Sequence, residues 1–194
     1  MAEEQTLYPE VLMSAYRQGY FPMAEEDNGK IYWHSPDPRA IIPLDKVATP
    51  RSLRQYFKKH PMEFRVDTNF EYIIKKCADR SETWISHEII DAYIAFHYMG
   101  YAHSVETYID GKIVGGLYGV TVGGAFFGES MFSEVSNASK AAFYYLAYRL
   151  MEKGFVLLDS QYLNEFTQSL GAIEIPKATY LKILERALML PCVL

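Results

Sequence analysis

The stretch that decides the fold is AHSVETYIDGKIVGGLYGVTVGGAFFGESMF, residues 102–132. Asp110-Gly111 separates two long β-prone segments, and this dipeptide is a strong sequence signal for a two-residue hairpin turn. Gly123-Gly124 marks a second turn before another β-prone segment begins. The pattern therefore predicts three adjacent antiparallel strands, at Ala102–Ile109, Lys112–Val122 and Ala125–Phe132.

Helix signals flank this meander on both sides. Before it, helices are predicted to begin at or just after four residues, Pro9, Arg51, Phe70 and Ser86. After it, apolar residues at i, i+3, i+4, i+7 and i+8 predict a buried helix at about Ser139–Lys153. The apolar run Phe155–Leu158 predicts a central strand, and Tyr180–Leu188 a last helix. This order is typical of an α+β fold with one mixed, largely antiparallel sheet flanked by helices.

The composition indicates a globular protein without covalent staples. The chain has 194 residues, 49% of them hydrophobic, and a formal net charge of −5. A chain of this length can bury a large core without disulfide bonds. Its two cysteines are too few for a disulfide framework or a four-cysteine zinc site, and we expect neither a metal nor a cofactor. The proline-rich segment 21–38 suggests a small N-terminal lobe, residues 1–40, followed by a larger domain, residues 41–194.

Targeting signals are missing from the sequence. There is no apolar run of 18 residues, and the first six residues, MAEEQT, lack the basic start and apolar stretch of a signal peptide. We therefore expect a cytoplasmic protein that makes no membrane contact. We also expect it to be a monomer.

Basic residues are concentrated in one part of the chain. Net negative charge argues against indiscriminate binding to nucleic acid. Residues 51–80, however, carry eight basic and four acidic side chains. Arg51, Arg54 and Lys58 share one helix face by their spacing. That face is either an ordinary solvated surface or a phosphate-binding footprint, with Trp84 nearby as a stacking platform.

Polar residues follow the predicted central strand. Asp159 and Gln161 are two residues apart, so their side chains point the same way on a strand, and Asn164 comes at the next turn. A carboxylate beside a carboxamide can orient an amine and accept its hydrogen bond. In the alternative interpretation, Asp159 caps the following segment and Gln161 satisfies a loop. Glycine-rich nucleotide-binding motifs and the zinc-protease motif do not occur.

Glu129 is the second unusual polar residue, because it lies in the otherwise apolar segment 126–132. A buried carboxylate must be paired with a cation or strongly hydrogen-bonded. Two explanations are open. Either Lys140 or Arg149 neutralises Glu129 structurally, or Glu129 faces a cleft that receives a positively charged ligand.

Eight short motifs occur together along the chain: WxSPDPRA at 33–40, WI at 84–85, HSVE at 103–106, GGLYGV at 115–120, GESMFS at 128–133, NASK at 137–140, DxQ at 159–161 and SLGA at 169–172. In order and spacing they resemble the leucyl/phenylalanyl-tRNA–protein transferase family, over about Leu12–Leu184. The resemblance implies transfer of leucine or phenylalanine, and less readily methionine, from aminoacyl-tRNA to proteins with N-terminal Arg or Lys. It also implies that the acceptor is marked for N-end rule degradation, and that the larger domain is GNAT-like.

The resemblance also implies roles for individual residues. Asp159 would orient Gln161, whose carbonyl draws the proton of the attacking amine, with Asn164 and Glu129 beside the reaction centre. We add the hypothesis that Glu129 holds the cationic acceptor. The aminoacyl side chain would fill a pocket made of Leu117, Phe126, Gly128, Met131, Phe143, Leu146 and Leu158.

The tRNA would meet two groups of side chains. Trp84 matches an aromatic residue that packs around the terminal adenosine, and Met23 stands where the family has a second aromatic. The acceptor stem would lie on the basic helix, at Arg51, Arg54, Lys58 and Lys59.

Two other functions remain open from the sequence. One is a CoA-dependent acetyltransferase of the same fold class, although no acetyl-CoA phosphate loop precedes the helix at Ser139. The other is a non-enzymatic RNA-binding module, which leaves the Asp159–Gln161 pair without a purpose.

Overall fold

The computed structural model describes residues 7–25 and 29–194. Residues 1–6, which belong to the predicted N-terminal lobe and on which the expectation of no signal peptide rests, lie outside these ranges. The described elements, in chain order, are α1 (Pro9–Arg17), β1 (Phe21–Ala24), β2 (Ile31–His34), β3 (Arg39–Ile41), a 3-10 turn (Leu44–Lys46), α2 (Arg51–Lys59), β4 (Glu63–Val66), α3 (Phe70–Ala78), α4 (His87–Tyr98), β5 (Ala102–Ile109), β6 (Lys112–Val122), β7 (Ala125–Ser133), α5 (Ala138–Glu152), β8 (Leu157–Gln161), α6 (Glu165–Ser169), β9 (Ile173–Ile175) and α7 (Lys177–Leu188). Among the described residues, no helix is long and apolar enough to cross a membrane.

Seven of these strands form one mixed sheet, in the order β4-β5-β6-β7-β8-β3-β9, while β1 and β2 form a separate antiparallel pair. Strands β7 and β8 run parallel, and the other neighbours in the large sheet run antiparallel. Helices cover both faces of the sheet. The predicted α+β class with a mixed, largely antiparallel sheet is therefore confirmed.

The predicted meander is confirmed strand by strand. Ile109 pairs with Lys112 across a two-residue turn in which Asp110 and Gly111 have φ values of 50° and 74°. Positive φ at both central residues is the requirement of the hairpin turn that Asp-Gly favours. Strand β7 then pairs antiparallel with β6, as the second turn predicts.

The predicted helix starts are also confirmed. Helices α1, α2 and α3 begin at Pro9, Arg51 and Phe70. Ser86 caps α4, since its hydroxyl accepts a hydrogen bond of 3.3 Å from the backbone N–H of Ile89.

Four short strands were not predicted. Strands β1 and β2 lie in the proline-rich segment, and β3 and β9 have three residues each, too few for periodicity to show. Strand β8 also begins two residues later than the apolar run. Because β3 pairs with both β8 and β9, it carries the chain from the N-terminal hairpin straight into the large sheet. The division of the chain at residue 40 stays a prediction.

Two apolar clusters lie against the sheet. One gathers buried side chains from α1, α3, α4 and α7, and the other is built on α5. Successive strand residues point to opposite faces, so Leu117 belongs to the α5 cluster and Tyr118 to the other. Residues of both clusters line the cavity that is described below.

Candidate active site

The site is a cavity that opens where two strands separate. β7 and β8 pair only from Ala125 with Leu157 to Phe127 with Asp159. A cavity of about 560 Å³ is lined by the residues that follow on both strands. It reaches both faces of the sheet, because Leu117 and Tyr118 both line it. A concave, largely apolar space with a few converging polar groups is the expected form of a small-molecule site.

One end of this cavity is apolar. All seven residues predicted to hold an aminoacyl side chain line it, namely Leu117, Phe126, Gly128, Met131, Phe143, Leu146 and Leu158. Ile42 and Leu170, which were not predicted, line it too. A Cβ atom at Gly128 would lie 3.4 Å from the backbone oxygen of Asp159, which is an ordinary contact distance. The structure brings the predicted pocket together, and its ligand stays a prediction.

A β-bulge places Glu129 in the cavity. Tyr118 pairs with Ser130 and Gly119 with Gly128, so Glu129 has no partner residue on β6. Bulges of this kind redirect a side chain and are frequent beside active sites. Gly119 makes the close approach possible, because a Cβ atom there would lie 2.3 Å from the backbone oxygen of Phe127.

The Glu129 carboxylate is buried and half satisfied. The Tyr16 hydroxyl donates to Oε1 at 2.6 Å and shares a second hydrogen bond with the Tyr93 hydroxyl. Oε2 has no hydrogen-bond partner among the described residues. Burial raises the pKa of Glu129 to about 7, although the hydrogen bond from Tyr16 and the nearby Gln161 amide oppose the rise. The group therefore changes charge near neutral pH.

The two sequence explanations for Glu129 can now be compared with the structure. Neither Lys140 nor Arg149 forms an ion pair with Glu129 among the described residues; a tyrosine hydroxyl from α1 supports it instead. Glu129 does line a cleft, as the second explanation requires.

Asp159 is fully buried and fully engaged. Arg39 binds it with two hydrogen bonds, Nε to Oδ1 at 3.0 Å and Nη2 to Oδ2 at 2.6 Å. The Tyr180 hydroxyl donates to Oδ2 at 2.7 Å, and the backbone N–H of Gln161 donates to Oδ1 at 2.8 Å. Each oxygen of this carboxylate therefore accepts two hydrogen bonds, and the pair with Arg39 is charge-assisted. Asp159 is thus built as an anchor.

Gln161 is held in an unusual backbone conformation. Its φ is +64°, a left-handed value that is uncommon for a residue other than glycine. The hydrogen bond from its N–H to Asp159 fixes this turn, so Asp159 acts on the backbone of Gln161 rather than on its amide group. The Gln161 Nε2 atom is buried near Glu129, without a hydrogen bond of good geometry to any described residue. Strained residues with unsatisfied polar atoms cluster at functional sites.

Asn164 has a structural task in addition to the predicted catalytic one. It caps α6: its Oδ1 accepts from the backbone N–H of Thr167 at 2.8 Å, and the Thr167 hydroxyl accepts from the backbone N–H of Asn164 at 3.0 Å. Asn164 also lines the cavity. Its part in the chemistry stays a prediction.

The residues predicted to contact tRNA fall into two places. Met23 and Trp84 line the cavity, and the backbone N–H of Ala24 donates to the carbonyl of Trp84 at 3.0 Å, which joins their two segments. The basic residues of α2 do not line the cavity. They lie on a helix without a fully buried residue, at Arg51, Arg54, Lys58 and Lys59, all exposed.

Three side chains that support the site were missed from the sequence: Tyr16, Arg39 and Arg80. Tyr16 lies on the apolar face of α1, where it passes for an ordinary core residue. Arg39 immediately precedes the apolar run Ala40-Ile41-Ile42, and the structure buries it in an ion pair with Asp159. Arg80 lines the cavity from the loop that leads to Trp84.

The chain is similar to proteins of known type over nearly all of its length. Residues 41–185 match the family model for leucyl/phenylalanyl-tRNA protein transferase, and residues 5–37 match the family model for its N-terminal domain. The leucyl/phenylalanyl-tRNA–protein transferase of Gloeobacter violaceus is 52% identical, covering 96% of this chain and 97% of that protein. The one from Rubrobacter xylanophilus is 48% identical, covering 95% of this chain and 96% of that protein. Among solved structures, L-PGS from Bacillus licheniformis aligns with a TM-score of 0.45 and 14% identity, over 82% of this chain and 55% of that one.

Proposed function

Because the chain belongs to the leucyl/phenylalanyl-tRNA–protein transferase family, and is an aminoacyltransferase that moves an aminoacyl group from tRNA to protein, we propose its donor and acceptor as follows. It transfers leucine or phenylalanine, and less readily methionine, to the α-amino group of proteins that begin with Arg or Lys. The added residue marks the acceptor for N-end rule degradation. Family membership sets aside the acetyltransferase and the RNA-binding module as rival functions.

One observation carries this proposal: an apolar cavity ends at two buried polar atoms that lack partners among the described residues, Glu129 Oε2 and Gln161 Nε2. The apolar end suits a bulky aliphatic or benzyl group. Such a pocket separates near-isosteres poorly, which fits the use of both leucine and phenylalanine. The ester carbonyl would then lie beside the polar atoms. We also propose that the protein acts as a monomer, and a tRNA donor with protein acceptors fits the cytoplasm.

The chemistry needs positioning and proton handling, because an aminoacyl ester is already activated. An α-ammonium group has a pKa of about 8, and Glu129 has a pKa of about 7. Glu129 can therefore bind the acceptor ammonium and take one of its protons at little cost. The freed amine attacks the ester carbonyl and forms the C–N bond. The adduct then loses a second N–H proton as its C–O bond breaks, and the ribose oxygen leaves as a hydroxyl.

Gln161 and Asp159 serve this step in different ways. The side-chain carbonyl of Gln161 accepts a hydrogen bond from the attacking nitrogen and so fixes its direction. Asp159 is an orienting charge and not the base, since Arg39, Tyr180 and the Gln161 N–H occupy it. Asn164 keeps the segment after Gln161 in place through its helix cap.

The test is a transfer assay with defined donors and acceptors. Radiolabelled leucyl-tRNA is incubated with the protein and a peptide that begins with Arg, and the product is sequenced for an N-terminal Leu-Arg. The same peptide with an acetylated N-terminus is the matched acceptor control, and isoleucyl-tRNA is the β-branched donor control. Label in the acetylated peptide, or equal use of isoleucyl-tRNA and leucyl-tRNA, would contradict the proposal.

A further inference from the structure

Arg80 is the one basic side chain among the described residues that line the cavity. It lies in the loop between α3 and α4, four residues before Trp84, which lines the same cavity. The acidic residues of the lining are Glu129 and Asp159, and Asp159 is neutralised by Arg39. The described lining of the cavity therefore carries one carboxylate without an ion pair, Glu129, and one cation, Arg80.

The guanidinium of Arg80 is anchored on one side and open on the other. Its Nε donates to the carbonyl of Cys77 at 2.8 Å, and its Nη2 donates to the Ser130 hydroxyl and the Met131 carbonyl, both at 3.0 Å. These three bonds use the Nε–H and both Nη2 protons. An arginine has five N–H donors, so the two on Nη1 are left for a ligand. A guanidinium fixed in this way is pre-organised for an anion.

The position of Arg80 points to the nucleotide end of the donor. The aminoacyl pocket belongs to the α5 cluster, while Met23 and Trp84 pack against the cluster on the other face of the sheet. If leucine fills the aminoacyl pocket, the terminal adenosine lies at Met23 and Trp84, on the same face of the sheet as Arg80. The chain of the tRNA continues from an adenosine at that position through the phosphodiester on its 5′ oxygen.

We propose that Arg80 binds the phosphodiester that joins the terminal adenosine to the rest of the tRNA. This inference rests on the proposed function and adds a subsite to it. The two N–H groups on Nη1 carry part of the guanidinium charge, and charge-assisted hydrogen bonds from them to phosphate oxygens are stronger than bonds from a neutral donor. The acceptor peptide begins with a cation, which Arg80 repels and Glu129 attracts, so the two charges also sort donor from acceptor.

The test compares two small donors that differ by one phosphodiester: 3′-O-leucyl-adenosine and its 5′-(methyl phosphate). For the unaltered protein we expect the phosphodiester to lower the donor KM about tenfold, the usual range for a hydrogen bond to a charged group. In Arg80→Met the two donors should have equal KM values. In Arg80→Lys, which keeps the charge and loses the anchored guanidinium, part of the difference should return. Lys75→Met, an exposed cation on α3 that does not line the cavity, should keep the whole difference.

A binding measurement makes the result independent of catalysis. Calorimetry with the same pair, made non-reactive by an amide in place of the ester, should give the same loss of phosphate preference in Arg80→Met. If Arg80→Met weakens both donors equally, Arg80 is only a structural cap on α3 and the proposal is wrong. It is also wrong if the unaltered protein shows no phosphate preference while it transfers leucine normally. Absence of all transfer by the unaltered protein would instead overturn the proposed function, and this subsite with it.

Discussion

At the scale of the residue, Glu129 shows that the site is built for chemistry rather than for stability. Its carboxylate is buried, one oxygen is bound by Tyr16, and the other has no partner among the described residues. Packing alone would favour an apolar residue at such a position. Burying this carboxylate costs free energy, and the group faces a cavity and titrates near neutral pH. These properties together make Glu129 a candidate functional residue.

Glu129→Gln should remove the pH dependence of transfer near neutrality. In the unaltered protein kcat/KM should rise as pH passes through about 7, because only the ionised carboxylate can take the proton. The glutamine variant should be slower by about 10² or more and should lack this rise. The measurement is a pH–rate profile with an Arg-starting peptide. A variant that keeps the same inflection would show that another group titrates.

The same substitution should stabilise the protein at high pH. A glutamate side chain free in water has a pKa of 4.5, whereas Glu129 in the folded chain has a pKa of about 7, so the folded state binds more protons between these values. Stability therefore falls as pH rises from about 4.5 to about 7, by about 3 kcal/mol in total. Urea unfolding should show Glu129→Gln more stable than the unaltered protein at pH 8, with the gap closing toward pH 4. Glu152→Gln, an exposed site, should show no such gap.

At the scale of the element, the sequence predicted what local chemistry decides and missed what distant contacts decide. The Asp110-Gly111 turn, the Ser86 cap and the apolar stripe of α5 are each specified by residues close together in the chain. Strands β3 and β9 are specified by each other and by β8, because three residues become a strand only when a partner strand is present.

The candidate site divides in the same way. Its walls follow from motifs that can be read in order along the chain, and the structure gathers them in one cavity. The hydrogen-bond partners of the polar groups could not be predicted from the sequence, because Tyr16 is 113 residues from Glu129 and Arg39 is 120 residues from Asp159. No local pattern carries information across such a distance.

Gly119→Ala should damage the bulge that positions Glu129. The added Cβ would lie 2.3 Å from the Phe127 carbonyl and 2.4 Å from the Phe126 ring, closer than real contacts allow. We expect a loss of about 1–3 kcal/mol in the free energy of unfolding, with a shifted Phe126 wall. Gly128→Ala, whose nearest contact would be 3.4 Å, is the matched control and should change stability little. If Gly119→Ala loses as little stability as Gly128→Ala, the bulge tolerates the extra atom and this prediction is wrong.

Lys58→Glu with Lys59→Glu should weaken tRNA binding through α2. Both side chains are exposed, in the last turn of a helix whose other exposed residues include Arg51 and Arg54. Phosphate contacts release counterions, so the slope of affinity against salt should also become shallower. Lys182→Glu with Arg186→Glu makes the same charge change on α7 and is the control. If both double variants bind tRNA equally well, α2 is an ordinary solvated face.

At the scale of the whole molecule, Arg39 ties three parts of the fold together beside the cavity. Its Nη1 donates to the Gly19 carbonyl at 3.0 Å, just after α1. Its other nitrogens hold Asp159 on β8, and its guanidinium lies 4.8 Å from the Phe21 ring and 4.6 Å from the Tyr180 ring. The N-terminal segment, the large sheet and α7 therefore meet at the guanidinium of Arg39. A substitution of Arg39 should alter the contacts of all three parts with the site.

Arg39→Met should destabilise the protein by about 3–5 kcal/mol, because it leaves the Asp159 carboxylate buried and unpaired. A second substitution at Asp159 should recover much of this loss by removing the stranded charge. Asp159→Asn keeps an oxygen that can accept from the Gln161 N–H, whereas Asp159→Leu does not. Denaturant unfolding of the two double variants, each combined with Arg39→Met, should show both more stable than the single Arg39 variant.

Their activities then separate the two possible roles of Asp159. If Asp159 only orients Gln161, the Arg39→Met/Asp159→Asn protein should regain transfer along with stability, while Arg39→Met/Asp159→Leu should regain stability alone. If Asp159 is the base, neither double variant can regain transfer, because an amide takes no proton at neutral pH. The ion pair with Arg39 and the four hydrogen bonds favour the first outcome, and a folded but inactive Asp159→Asn double variant would decide for the second.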